Sequence, residues 1–379
     1  MANTLDYLSW RGDLNFAASP FSEIDSFIIS QLSTPDYSGI VPSDGESVPL
    51  PEVVEKYFET HVDDVSTLGV LQSTYVLPML RALPETPRFR DARLSFAVNR
   101  VRQENEEQFC AVTVELPDGS SCISFRGTDD TIIAWKEDFN LATRASVPAQ
   151  KDAAEYVEKV ASLRDGEIRI CGHSKGGNLA VYSACSVNAS LRNRISSTVS
   201  YDGPGFNASF LEGEGYLSMK DKITTVLSQN SLVGTLLETA GEPLIVKSDK
   251  AGPMAHDGFS WQVLGNSFVR EPALSETSIF FKRVMAETLG SLETEEKQAF
   301  VDELFDTLLS TGAVTITDLT NFTPQQVLEM VKNLHDGKKI KSFGRAVAEH
   351  MLKDTAEKIK VPEIKVPEIK LPEIKLPLR

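Results

Sequence analysis

Positive charge, paired cysteines, histidines and long apolar runs are all scarce in this sequence of 379 residues. Lysine and arginine number 38 against 54 aspartates and glutamates, which leaves a net charge of −16. Such a chain has no basic footprint for nucleic acid and no direct hold on anionic lipid, because both need clustered cations. Four cysteines, Cys110, Cys122, Cys171 and Cys185, form no C-x-x-C pair and no cluster with histidine at zinc spacing. They sit in apolar or small-residue runs and read as buried free thiols. The start, "MANTLDYLSWRGDLNF", lacks a basic segment followed by an apolar core, so a secretory signal is not expected in it. No apolar run approaches the roughly 18 residues a membrane span needs. A reducing cytoplasm is the expected location. There is no G-x-x-x-x-G-K-[ST] phosphate loop, and nothing calls for a cofactor or a metal.

What is present is a pattern of short β-rich runs alternating with helices, flanked by helical segments. Residues 1–90 read as helix and loop, with "PFSEIDSFIISQLS" capped by Ser22. "SVPLPEVVEKYFETHVDD" starts a helix after its second proline, and "GVLQSTYVLPMLRAL" holds a third. "LSFAVNRVR", "QFCAVTVEL" and "SCISFRG" read as strands, the last two joined through Pro117-Asp118-Gly119 as a hairpin. The helix "KDAAEYVEKVASL" leads to a buried strand "EIRICGHS", a helix "GNLAVYSACSV", and strands "SSTVSYDG", "KITTVLSQN" and "EPLIVKSD". This order predicts an α/β fold with a mostly parallel sheet over residues 1–285. A helical extension follows at 286–357. Residues 358–379 form a K-V/L-P-E-I repeat with Pro362, Pro367, Pro372 and Pro377. Proline every fifth residue excludes a regular helix, so an extended solvated tail is expected, with docking to a protein partner as the alternative.

The chemistry centres on Gly172-His173-Ser174-Lys175-Gly176, a G-x-S-x-G pentad. The pentad alone arises by chance in roughly one chain in ten of this length. Its setting raises it: "IRIC" is a buried strand, glycines flank Ser174, and small residues Ala180, Ser183 and Ala184 open the helix that follows. That is the strand–turn–helix context of an α/β-hydrolase nucleophile. The alternative is a glycine-rich turn whose helix end holds an anion.

A serine nucleophile needs a base, and five histidines make elimination workable. In this fold the histidine follows the serine. His61 and His173 precede it, and His173, adjacent to Ser174, is expected to point elsewhere. His335 and His350 fall in helical stretches. His256, in the loop "SDKAGPMAHDGFSW", remains. For the acid, the position after the second strand beyond the turn reads Gln229-Asn230-Ser231, without a carboxylate. Asp202, in "SYDGPGF", ends the first strand and is the preferred acid. Asn230 is the alternative orienting group, and Asp249 and Asp257 are weaker because they are expected to face outward. The oxyanion donors are assigned to the N–H of Lys175 and to Thr128 in "SCISFRGTDD", with the Lys175 side chain expected in solvent. Phe206, Phe210 and Phe259 read as core, with an acyl pocket as the alternative.

"ISFRGTDD", then "WKEDF", then G-x-S-x-G resembles the class 3 (fungal-type) lipases. Closer still is an uncharacterised bacterial lipase-like family, domain of unknown function 2974, similar in "NTLDYLSWRGDLNF", "PFSEIDSFIISQLS", "GHSKGGNLAVYSA", "YDGPGF" and "HDGFSW". The likeness covers roughly residues 3–285. It implies an α/β-hydrolase with Ser174 and His256 in the family's roles and Thr128 at the oxyanion. Class 3 lipases carry aspartate where this chain has Asn230-Ser231. Pancreatic-type lipases place it in a D-P-A-G-P-like loop, which "YDGPGF" resembles. The expected activity is hydrolysis of a carboxylic ester, lipid or other small molecule, through an acyl-enzyme. An amidase or peptidase with the same triad, or a silent hydrolase fold that binds a partner, are the alternatives.

Overall fold

The structure, a computed structural model, describes residues 2–61, 73–129, 131–141, 143–290, 298–299, 301–302 and 305–306. His335, His350, most of the helices expected after residue 290 and the proline repeat lie outside the described residues.

The N-terminal third supplies helices α1 (Thr4–Arg11), α2 (Glu23–Gln31), α3 (Leu50–Thr60) and α4 (Val76–Ala82), with the two-residue strand β1 (Val48–Pro49) before α3. Ser22 caps α2: its hydroxyl accepts from Asp25 N–H while Asp25 accepts from Ser22 N–H. α3 begins at Leu50, two residues before its expected start, with Pro51 in its first turn, where no N–H is needed.

Strands β2 (Arg93–Arg102), β3 (Glu107–Glu115) and β4 (Ser121–Phe125) are antiparallel neighbours. Gly119, at φ 85, turns the β3–β4 hairpin at the expected Pro-Asp-Gly. After α5 (Ile132–Asn140) and α6 (Pro148–Leu163), the chain becomes parallel: β5 (Ile168–His173), β6 (Ile195–Tyr201), β7 (Ile223–Ser228) and β8 (Leu244–Val246). The crossovers carry α7 (Lys175–Ser186), α8 (Ala189–Arg194), α9 (Ala208–Leu211) and α10 (Glu214–Met219). A hairpin of β9 (Val263–Leu264) and β10 (Ser267–Phe268), then α11 (Glu276–Gly290), complete the elements. Among the described residues one sheet runs β1 to β8 in sequence order, antiparallel to β4 and parallel from there on. No helix of the described residues is long and apolar enough to cross a membrane.

Two apolar clusters sandwich this sheet. One joins Ile24, Phe27 and Ile28 of α2 and residues of α1, α3 and α4 to Phe259, Trp261 and Phe268; the other joins α6 and α7 to Phe125, Ile170 and Ile195. Each buried side chain of this size contributes roughly 1.5–3 kcal/mol. Phe27 is the keystone of the first cluster: the rings of Tyr201, Phe259, Trp261 and Phe268 all lie within 5.3–5.7 Å of it. Helix α2 thereby braces the loop that carries His256.

A second brace is ionic. Arg88 and Asp25 pair with both side chains fully buried. The guanidinium also donates to the carbonyls of Leu14, Ser19 and Pro20, and Tyr7 Oη donates to Asp25 at 2.9 Å. The four cysteines are free and buried, as their surroundings imply.

Candidate active site

Ser174 sits between β5 and α7 at φ 57, ψ −134, a conformation disfavoured for a residue with a Cβ. The turn survives because its flanks are glycine. A Cβ on Gly172 would collide with the carbonyl of Gly176, and one on Gly176 with the carbonyl of Phe125. The strain lifts Ser174 out of the strand end, while its N–H stays bonded to Tyr201 O at 2.9 Å. Gly127 lies against it, since a Cβ there would stand 2.9 Å from Ser174 Cβ.

Asp202 follows Tyr201 directly, at the end of β6, and is also at positive φ, 50. It is wholly buried, and its Oδ2 accepts a 2.7 Å hydrogen bond from His256 Nδ1. A carboxylate can only accept, so Nδ1 carries the proton and Nε2 is left as the basic nitrogen. Asn230 is not at this position: its amide donates to Lys250 O at 3.2 Å. Asp257 pairs with Lys250 and caps its own turn through Phe259 N–H, and Asp249 accepts from Gln262. His61 stacks on Tyr57 at the end of α3.

The loop bearing His256 is pinned from three sides. Trp261 Nε1 donates to Ala255 O at 2.9 Å. Gly258 packs against the Phe27 ring so closely that a Cβ would not fit. The third hold is His173, which does not point elsewhere as expected: its ring centroid lies 4.6 Å from that of His256, and its Nε2–H donates to His256 O at 2.8 Å. Burial, followed by the neighbouring His256, pushes the His173 pKa down to about 4, so it stays neutral near pH 7. Among the described residues no hydrogen bond joins Ser174 Oγ to His256; the ring is fixed on its Asp202 side.

On the opposite flank, Thr128 donates its hydroxyl to Asp138 of α5. Burial raises the Asp138 pKa to about 6, against the lowering effect of Lys175 and of the Thr128 bond. Lys175 departs from the expectation of a solvated side chain. It is fully buried, and its Nζ donates to Gln108 O and to Glu137 Oε2, both at 2.9 Å. A carboxylate in "WKEDF" makes this burial tolerable, and the alternation of charge along one helix gave no sign of which residues face inward. Glu137 and Asp138 join the site from α5, and nothing in their local sequence marks them as members of it.

Phe259 is core behind the histidine loop, 5.5 Å from Phe27. Phe206 and Phe210 stack at 4.3 Å, and Tyr182 stacks on Phe210 at 5.5 Å. Phe206, Phe210 and Tyr182 line a small groove with Asn178, Gly205 and Arg144.

A sheet that is parallel from β4 to β8 with helices on both faces, and a strained serine between a buried strand and a glycine-opened helix, make an α/β protein of the α/β-hydrolase type. Residues 83–306, more than half of the chain, match the Mbeg1-like family, and the chain belongs to that family. No curated protein matches the chain. Among solved structures, M37 lipase is 17% identical over 55% of this chain and 69% of its own, with a TM-score of 0.34. Lip2 lipase from Yarrowia lipolytica is 13% identical over 54% and 79%, TM-score 0.34. Rhizomucor miehei lipase, in its propeptide complex, is 14% identical over 59% and 67%, TM-score 0.33. Likeness at this level carries nothing about activity.

Proposed function

We propose that the chain is a serine hydrolase of carboxylic esters. The observation that carries this is the 2.7 Å Asp202–His256 pair at the C-terminal end of β6, beside the strained Ser174 at the C-terminal end of the neighbouring parallel strand β5. Ser174 Oγ attacks the ester carbonyl as His256 Nε2 takes its proton. Asp202 keeps the proton on Nδ1 and stabilises the imidazolium that forms. Lys175 N–H, at the first position of α7, has no partner within its helix and is aimed at the oxyanion, with the main-chain N–H of Thr128 as the second donor, because the Thr128 hydroxyl is donated to Asp138. The tetrahedral intermediate collapses, the alcohol leaves with the proton from His256, and an acyl-Ser174 remains. Water, deprotonated by the same imidazole, releases the acid and restores the serine. Free sites of this kind often hold base and nucleophile apart until substrate arrives, which accommodates the missing Ser174–His256 bond.

The test is turnover of p-nitrophenyl esters of increasing acyl length by the wild type and by Ser174→Ala. The proposal expects turnover that disappears in the variant. Equal rates in the two proteins would refute it.

A further inference from the structure

We infer that the buried Glu137–Lys175 ion pair positions the oxyanion N–H of Lys175; the inference rests on the ester-hydrolase reading of the site. Lys175 is the residue after Ser174, so its backbone sits in the site while its side chain runs away from it. That side chain ends on Gln108 O and Glu137 Oε2. Glu137 accepts in turn from Gln108 N–H at 3.1 Å and, through Oε1, from Ala149 N–H at 3.0 Å. One carboxylate therefore ties α5, β3, the first turn of α6 and the first turn of α7 together. Both side chains are fully buried.

Such a pair is a poor source of stability, because desolvating two charges offsets most of their attraction. An apolar pair of similar volume would hold the core equally well. What it would not do is fix the Lys175 main chain through short, directional bonds to two acceptors. Oxyanion stabilisation depends on that fixity, since donors act only at hydrogen-bond distance from the developing charge. The neighbouring Asp138 does the same for Thr128. Helix α5 thus carries adjacent carboxylates, one anchored to each proposed oxyanion residue. Glu137 and the Lys175 side chain are positioning groups; neither touches the reacting atoms.

The experiment compares full-length wild type, Lys175→Met and the double variant Lys175→Met/Glu137→Leu. It measures kcat and KM on a p-nitrophenyl ester, with urea unfolding alongside. Lys175→Met leaves Glu137 charged and unpaired and is expected to lose stability as well as rate. The double variant removes both charges and is expected to recover wild-type stability. Its kcat should still be about 10–100-fold low, with KM within about threefold of wild type. A folded double variant with wild-type kcat overturns the inference. So does failure of both variants to fold, which would make the pair a folding element. If the wild type shows no Ser174-dependent turnover, it is the ester-hydrolase reading that fails.

Discussion

Replacing Asp202 by asparagine separates the proposed mechanism from a merely structural carboxylate. The substitution is gentle on the backbone, because Asp202 stands at φ 50 and asparagine tolerates that region as well as aspartate does. It keeps the volume and removes only charge and acceptor capacity. If the amide turns its oxygen to His256, Nδ1 keeps its proton but the imidazolium loses its counter-charge. At an effective separation of about 4 Å and a dielectric of about 20, that attraction amounts to about 4 kcal/mol, or roughly a thousandfold in rate. If the amide turns its NH2 inward, the proton moves to Nε2, the base is lost, and the deficit approaches about ten-thousandfold. Either way kcat on a p-nitrophenyl ester should fall about 10³–10⁴-fold while the urea midpoint barely moves. Asn230→Ala, made in parallel, should retain near wild-type kcat, because Asn230 bonds to Lys250 O instead. An Asp202→Asn protein within tenfold of wild type would refute Asp202 as the orienting acid.

Gly176→Ala should cost at least about 3 kcal/mol, since its Cβ would strike the Phe125 carbonyl and backbone cannot give way as a side chain can; urea unfolding measures it, and a loss under 1 kcal/mol contradicts the packing described. Arg88→Met leaves Asp25 charged and buried and should destabilise by about 3–5 kcal/mol by the same assay, a near-neutral result being the contrary outcome. Two buried groups act in opposite directions on stability between pH 4 and 6.5. Unfolded His173 binds a proton below 6.5 that the folded ring refuses until about 4, so its contribution falls as pH falls. Folded Asp138 holds a proton up to about 6 that the unfolded chain releases near 3.8, so its contribution falls as pH rises. Each amounts to at most about 3 kcal/mol. His173→Phe should therefore lose less stability than wild type between pH 6.5 and 4.5, and Asp138→Asn should lose more; identical profiles would refute both assignments.

The sheet was legible because its strands alternate or run apolar between glycine and proline turns, and β2 to β8 lie where those patterns put them. The serine turn was legible for a steric reason: Gly172 and Gly176 each face backbone at a distance no side chain could share, and the sequence displays both. His256 came by elimination from five histidines. Asp202 came from its place at a strand end with glycine beside it. The rest depended on contacts distant in sequence. Lys175 meets Glu137 across 38 positions, and His173 meets His256 across 83. Helical periodicity in "WKEDF" does not reveal that Glu137 turns inward, because its partner lies outside any local window. A lysine beside a catalytic serine reads as solvated until the carboxylate that buries it is placed.

In the proposed mechanism Ser174 is a nucleophile served by His256. Its most direct measurement is reaction of the intact protein with a fluorophosphonate probe, the adduct mapped by peptide mass spectrometry. A single adduct on Ser174 is expected, absent in Ser174→Ala and slowed at least about a hundredfold in His256→Ala. No adduct, an adduct on another residue, or labelling of Ser174 undiminished by loss of His256 would contradict it.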